Sequence, residues 1–156
     1  MFTARDFYID DKGGLVATLL HVYTIVNAKG ANYDEGELQR WLAESVWFPT
    51  NLLPSEYVHW SSIDAESAKL SFHYKTVSFD FIVRYNAIGE ITEIEGERFM
   101  TADKKEKWLC KMANYKEVFD MKIPFSDQAL WKLDDIEYYY AKFEIQKIEY
   151  DIPTKF

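Results

Sequence analysis

Only one stretch of this chain, Asp34 to Trp60 (DEGELQRWLAESVWFPTNLLPSEYVHW), carries the spacing of a helix, and it sits among runs that alternate like strands. A chain with one helix and many strands must use that helix to close one face of a sheet. Asp34 suits an N-cap, and Glu37 three residues later completes a capping box. Tyr33 and Leu38 fall at the staple positions, and Asp34, Glu35 and Glu37 put negative charge at the positive end of the helix dipole. Leu38, Trp41, Leu42 and Ser45 share one face. Arg40 and Glu44 are spaced to pair on another, a contact worth about 0.3–0.5 kcal/mol when exposed. Pro49 disfavours helical geometry at Phe48, so the helix should end between Ser45 and Trp47. The WFPTNLLP that follows is apolar for a loop and is expected to press into a core or line a pocket.

The other segments read as strands and turns. Phe2 to Ile9 is a strand, and Asp10-Asp11-Lys12-Gly13-Gly14 a turn with glycines to supply positive φ. Leu15 to Val26 fits a buried strand or a short helix; its β-branched end favours strand. Asn27 to Asn32 is a loop. Ser67 to Tyr74 and Val77 to Tyr85 alternate cleanly across Lys75-Thr76, as a hairpin does. Asn86 to Gly89 turns the chain into Glu90 to Met100, where Glu93, Glu95 and Glu97 share one face and Ile94, Gly96, Arg98 and Met100 the other. After a turn at Thr101 to Lys104, Trp108, Cys110 and Met112 alternate, and Tyr115 to Phe119 continues beyond a kink. Ile123-Pro124 marks a strand start or an edge, because proline cannot donate to a ladder. Ala129 to Leu133 is a short apolar run. Tyr139, Ala141, Phe143 and Ile145 alternate, then Ile148, Tyr150 and Ile152 do so out of phase, which predicts a bulge near Gln146-Lys147. Short turns between successive strands imply an antiparallel meander. The expected architecture is mainly β (α+β): a curved antiparallel sheet or half-barrel packed on one principal helix in a single domain, 1–156. By fold-level analogy this is lipoprotein-carrier-like.

GELQRWLAESVWFPTNLLP resembles the signature of an uncharacterised bacterial domain-of-unknown-function family, R-(Y/W)-L-A-E-x-x-W-x-P-T-x-L-L. Arg40, Trp41, Leu42, Ala43, Glu44, Trp47, Pro49, Thr50, Leu52 and Leu53 occupy its positions. The pattern continues with Trp60, Asp64, Arg98, Trp108, Tyr115, Ile123-Pro124, Trp131, Ile148 and Tyr150. Family members usually carry a glycine before the Ile-Pro and another after the Trp; this chain has Asp120 and Asp134-Asp135 there. Met1 enters partway through the family pattern, so the resemblance implies an N-terminally shortened member. It implies no chemistry.

Several function classes are disfavoured. A net charge of −8 repels phosphates, so neither nucleic acid nor an anionic membrane is an expected partner. No apolar run reaches the roughly 20 residues of a spanning helix, and the cytoplasm is the expected compartment. The single cysteine, Cys110, allows no internal disulfide and reads as an inert core thiol. His21, His59 and His73 have no metal-ligand spacing, and no phosphate-binding, dinucleotide or serine-nucleophile motif occurs, so neither metal nor cofactor is expected.

Arg98 falls on the inward face of its strand and needs a partner there. Glu44 or Asp64 would supply a structural ion pair tying helix to sheet; otherwise Arg98, or Arg84 by the same logic, lies at a pocket floor and binds a ligand carboxylate. The tryptophans either fill the core or line a cavity, with Trp47, Trp60, Phe72 and Trp108 as its walls. The leading expectation is a non-catalytic binding domain for a hydrophobic or lipid-like small molecule. A structural or protein-interaction domain is the alternative. An enzyme using carboxylates such as Glu44 and Asp64 comes third.

Overall fold

The computed structural model describes residues 2–19 and 23–151, and among these the alternating runs form ten strands around one α-helix. β1 (Phe2–Ile9), β2 (Lys12–Leu19) and β3 (Tyr23–Lys29) make a three-stranded antiparallel sheet. The helix α1 (Ala31–Glu44) follows, then short 3-10 turns at Ser45–Trp47 and Pro49–Leu52. β4 (Val58–Ser62), β5 (Ser67–Tyr74), β6 (Val77–Tyr85), β7 (Ile91–Phe99), β8 (Lys105–Val118), β9 (Met121–Leu133) and β10 (Ile136–Glu144) form a seven-stranded antiparallel meander, paired in sequence order. This sheet is curved and not closed: β4 and β10 are its two edges. α1 lies against β1 and β2 of the small sheet and against β6 and β7 of the large one.

The β5–β6 hairpin follows its sequence pattern. Leu70 pairs with Phe81, Phe72 with Phe79 and Ala68 with Val83, so one face collects the apolar side chains. Phe72, Phe79, Phe81 and Trp108 form a run of ring contacts with centroids 5.0, 5.2 and 6.2 Å apart, each worth about 0.5–1.5 kcal/mol beyond its buried area. Gly96 lies between Phe81 and Trp108 in the ladder, and a Cβ there would come within 2.5 Å of the Phe81 ring. Leu38, Leu42 and Val46 fill this concave face from above.

Local readings are corrected at several points. α1 begins at Ala31 after Gly30, and Asp34 is not the N-cap. Asp34 is buried within the first turn and accepts a hydrogen bond from the Gly13 amide at 2.7 Å, tying the helix to β2. Gly13 and Gly14 lie in β2, while the turn is made by Asp10 and Asp11 with φ of 51° and 63°. Gly13 is needed for approach: a Cβ would fall on the Tyr33 carbonyl oxygen. The run Leu15 to Val26 is two strands, and its His21 lies outside the described residues. The expected loop from Asn27 is strand as far as Lys29.

The two segments after Lys104 are one strand, β8, bent at Asn114 (φ 57°). Pro124 is inside β9, opposite Tyr115, yet β10 pairs no further than Ser126, so the missing N–H falls where one side of β9 is free. The register shift is between Tyr139 and Ala141, not at Gln146-Lys147; β10 ends at Glu144, Ile148 and Tyr150 follow outside any strand, and Ile152 lies outside the described residues. Asp120 and Asp134 have φ of 62° and 54°. Aspartate is one of the few side chains that tolerate this region.

Asp34→Ala should strand the Gly13 amide and cost about 1–3 kcal/mol, read as a lower urea midpoint at unchanged slope. Gly96→Val should cost a similar amount by overpacking, about 1–3 kcal/mol in the same measurement.

Candidate functional site

A cleft of about 690 Å³ lies between β1, α1, the 50–57 loop and the β4–β5 edge. The apolar loop after the helix forms one wall, through Thr50, Leu53, Pro54 and Tyr57, as its composition implied. Trp41 turns away from the core and is 44% exposed; it meets Phe72 edge-on at 6.1 Å and forms the opposite wall. Tyr57 packs edge-on against Tyr74 at 5.4 Å at the outer end. Thr50, Asn51, Ser55 and three tyrosine hydroxyls are the uncharged polar groups along otherwise apolar and aromatic walls, which suits a site for a mainly apolar guest.

The inner end is charged. Arg40 contacts three carboxylates with three different nitrogens: Asp6 through Nη1, Glu37 through Nη2 at 3.2 Å and Glu44 through Nε at 3.5 Å. The Arg40–Glu44 pair expected from spacing is thus part of a larger cluster. Glu37 is 8% exposed, and burial pushes its carboxyl up to about 7 despite the nearby Arg98. Burial raises Glu44 as well, against the pull of Arg40 and Arg98.

The other proposed site residues are dispersed. Of Trp47, Trp60, Phe72 and Trp108, only Phe72 lines the cleft. Trp47 donates its indole N–H to the Pro124 carbonyl at 3.0 Å, and Trp60 donates to Leu52 at 2.8 Å. Trp108 is fully buried and donates to the Tyr140 hydroxyl at 2.8 Å. Arg84 is on the outer face, paired with Glu93 at 2.6 Å and Glu95 at 3.0 Å. Glu93 and Glu95 are therefore half-buried ion-pair partners, while Glu97 is exposed.

Arg98 is paired with neither Glu44 nor Asp64. It donates to the Gly36 carbonyl from Nη2 at 3.2 Å and Nε at 3.4 Å, with its guanidinium 5.2 Å from the Trp108 ring centre. It does tie helix to sheet, through a backbone oxygen. It also lines a smaller cavity of about 330 Å³, with Trp131 and Tyr140, on the other side of the Asp6–Arg40–Glu37 cluster. Asp64 is exposed in the β4–β5 turn, where it accepts from the Glu66 amide at 2.9 Å.

His59 and His73 are exposed, and among the described residues no group of His, Cys, Asp or Glu is arranged to hold a metal. Cys110 is buried in β8, and burial raises its thiol well above the usual range. Sequence reasoning missed Asp127, which is 2% exposed on β9 with one carboxyl oxygen lacking a hydrogen-bond partner. Burial pushes this carboxyl up to about 7. Its signal was available: Asp127 shares the inward parity of Ile123, Phe125 and Ala129.

No helix among the described residues is long and apolar enough to cross a membrane. The chain belongs to the family described as "Family of unknown function (DUF6920)", which it matches over residues 1–150. No curated protein and no solved structure matches it.

Burial raises the native pKa of Asp127 above its unfolded one, so this group's contribution to stability is fully present below about pH 4 and is lost as pH rises to about 7, where the unfolded carboxyl is ionised and the native one is not yet. Asp127→Asn should therefore gain on the parent, by about 4 kcal/mol, between pH 4 and pH 8. Urea unfolding of both proteins at the two pH values measures this.

Proposed function

We propose that this protein is a non-catalytic binding domain whose cleft between β1, α1 and the β4–β5 edge takes a hydrophobic or lipid-like small molecule. The observation that carries the reading is the cleft itself. Its size, about 690 Å³, lies within the range of ligand sites, and Trp41 and Phe72 line it although Trp41 could have been buried. An exposed tryptophan at a concave apolar surface is a common mark of a binding site. The net charge of −8 fits a partner other than nucleic acid. A lone buried thiol fits a cytoplasmic setting.

Two other readings each have one observation behind them. A structural or protein-interaction role is favoured by β10, an edge strand that exposes Ile136, Tyr138, Tyr139 and Phe143. An enzyme using carboxylate acid–base chemistry is favoured by Glu37, which lines the cleft with its carboxyl raised to about 7. The Arg40 contact holds that carboxyl in a wall of the cleft.

Native mass spectrometry of the purified protein should show a co-purified small molecule, and the neutral dye Nile red should brighten on binding at one site. Thr50→Trp, at an exposed rim position, should abolish dye uptake and leave the thermal midpoint unchanged. Dye binding unaffected by that substitution would move the site away from this cleft.

A further inference from the structure

The geometry points to a cationic amphiphile as the guest: an aliphatic chain against Trp41 and Phe72, with an ammonium group at the Asp6–Glu37–Glu44 end of the cleft. This rests on the binding reading above and adds the chemistry of the ligand's head.

The argument is one of charge and of free donors. Three carboxyl groups share the Arg40 guanidinium, and only the Arg98 guanidinium adds positive charge nearby, so the cluster is still one positive charge short when all three are ionised. Arg40 already meets a carboxyl group through each of Nη1, Nη2 and Nε, so its charge is shared among three carboxyl groups and only two of its five N–H donors are left for an anionic head. An anionic head would also lie against Asp6 and Glu44 in a half-buried site, where like charges are costly. An ammonium group would supply the missing charge. The overall charge of −8 draws cations toward the protein from a distance.

Glu37 gives this selectivity a pH signature. The groups around it are Asp6 on β1, Arg40 and Glu44 on α1, Arg98 on β7 and Tyr140 on β10. With its carboxyl raised to about 7, the glutamate is partly protonated at neutral pH. A bound cation favours the ionised form, so its affinity rises with pH, whereas that of an uncharged guest has no such cause to rise.

Calorimetric titration of the full chain with decyltrimethylammonium, 1-decanol and decanoate, each below its aggregation concentration, tests the inference. The ammonium compound should bind at least about tenfold tighter than decanoate, with decanol between them. Its affinity should increase several-fold from pH 6 to pH 8. Glu44→Gln should weaken ammonium binding about fivefold and decanol binding far less, with an unchanged thermal midpoint showing that the cleft is intact. Decanoate binding as tightly as the ammonium compound, or the ammonium compound no tighter than decanol, would overturn the cationic head and leave the binding reading standing. Failure of all three compounds to bind, or binding that survives Thr50→Trp, would overturn both.

Discussion

A helix held between two sheets has little surface left for water, and its polar side chains must find partners inside the protein. α1 is such a helix. Asp34 turns to the Gly13 amide on the small sheet, and Gln39, fully buried, donates to the Glu97 carbonyl of the large one at 2.8 Å. From the large sheet, Arg98 reaches back to the Gly36 carbonyl. All three side chains bond to a backbone atom, so they fix where the helix lies along and between the sheets, which apolar packing alone would leave loose. The same confinement creates the cleft. Leu38 and Leu42 face the core, while Trp41 is carried to the rim where β1 and the large sheet diverge.

Much of the large sheet was legible because strict alternation leaves only one way to turn a strand's faces. The β5–β6 pairing and the inward parity of Ile94, Trp108 and Cys110 follow from a period of two. The start of the helix was misread for a definite reason. A carboxylate that accepts from the backbone at an N-cap and one that accepts from a distant strand are the same residue in the same local pattern. Only the fold brings Gly13 to Asp34. The two glycines misled likewise: they signal a turn, but the turn went to two aspartates, and Gly13 was required for helix approach.

The site was less legible than the fold. Size and apolarity mark Trp47, Trp60 and Trp108 as cavity walls, yet each donates its indole N–H to an oxygen of another segment and acts as a strut. The tryptophan that does line the cleft, Trp41, had been placed on the buried helix face, since periodicity gives a direction and not the distance to the next layer. Arg98 was correctly turned inward, but its partner is a helix carbonyl, which no residue type announces. Asp6, the β1 carboxylate in the Arg40 cluster, lies outside every motif, because a three-element cluster exists only once β1 has packed on α1.

The placement of Cys110 has a practical consequence. It is the only cysteine, it is buried, and its side chain belongs to the core cluster with Leu38, Leu42 and Val46, so a thiol reagent cannot reach it while the helical segment covers that face of the sheet. Its rate of alkylation in the native protein is therefore set by how often that cover lifts from the large sheet. The chain carries, with no engineering, a single-site chemical reporter of its own breathing.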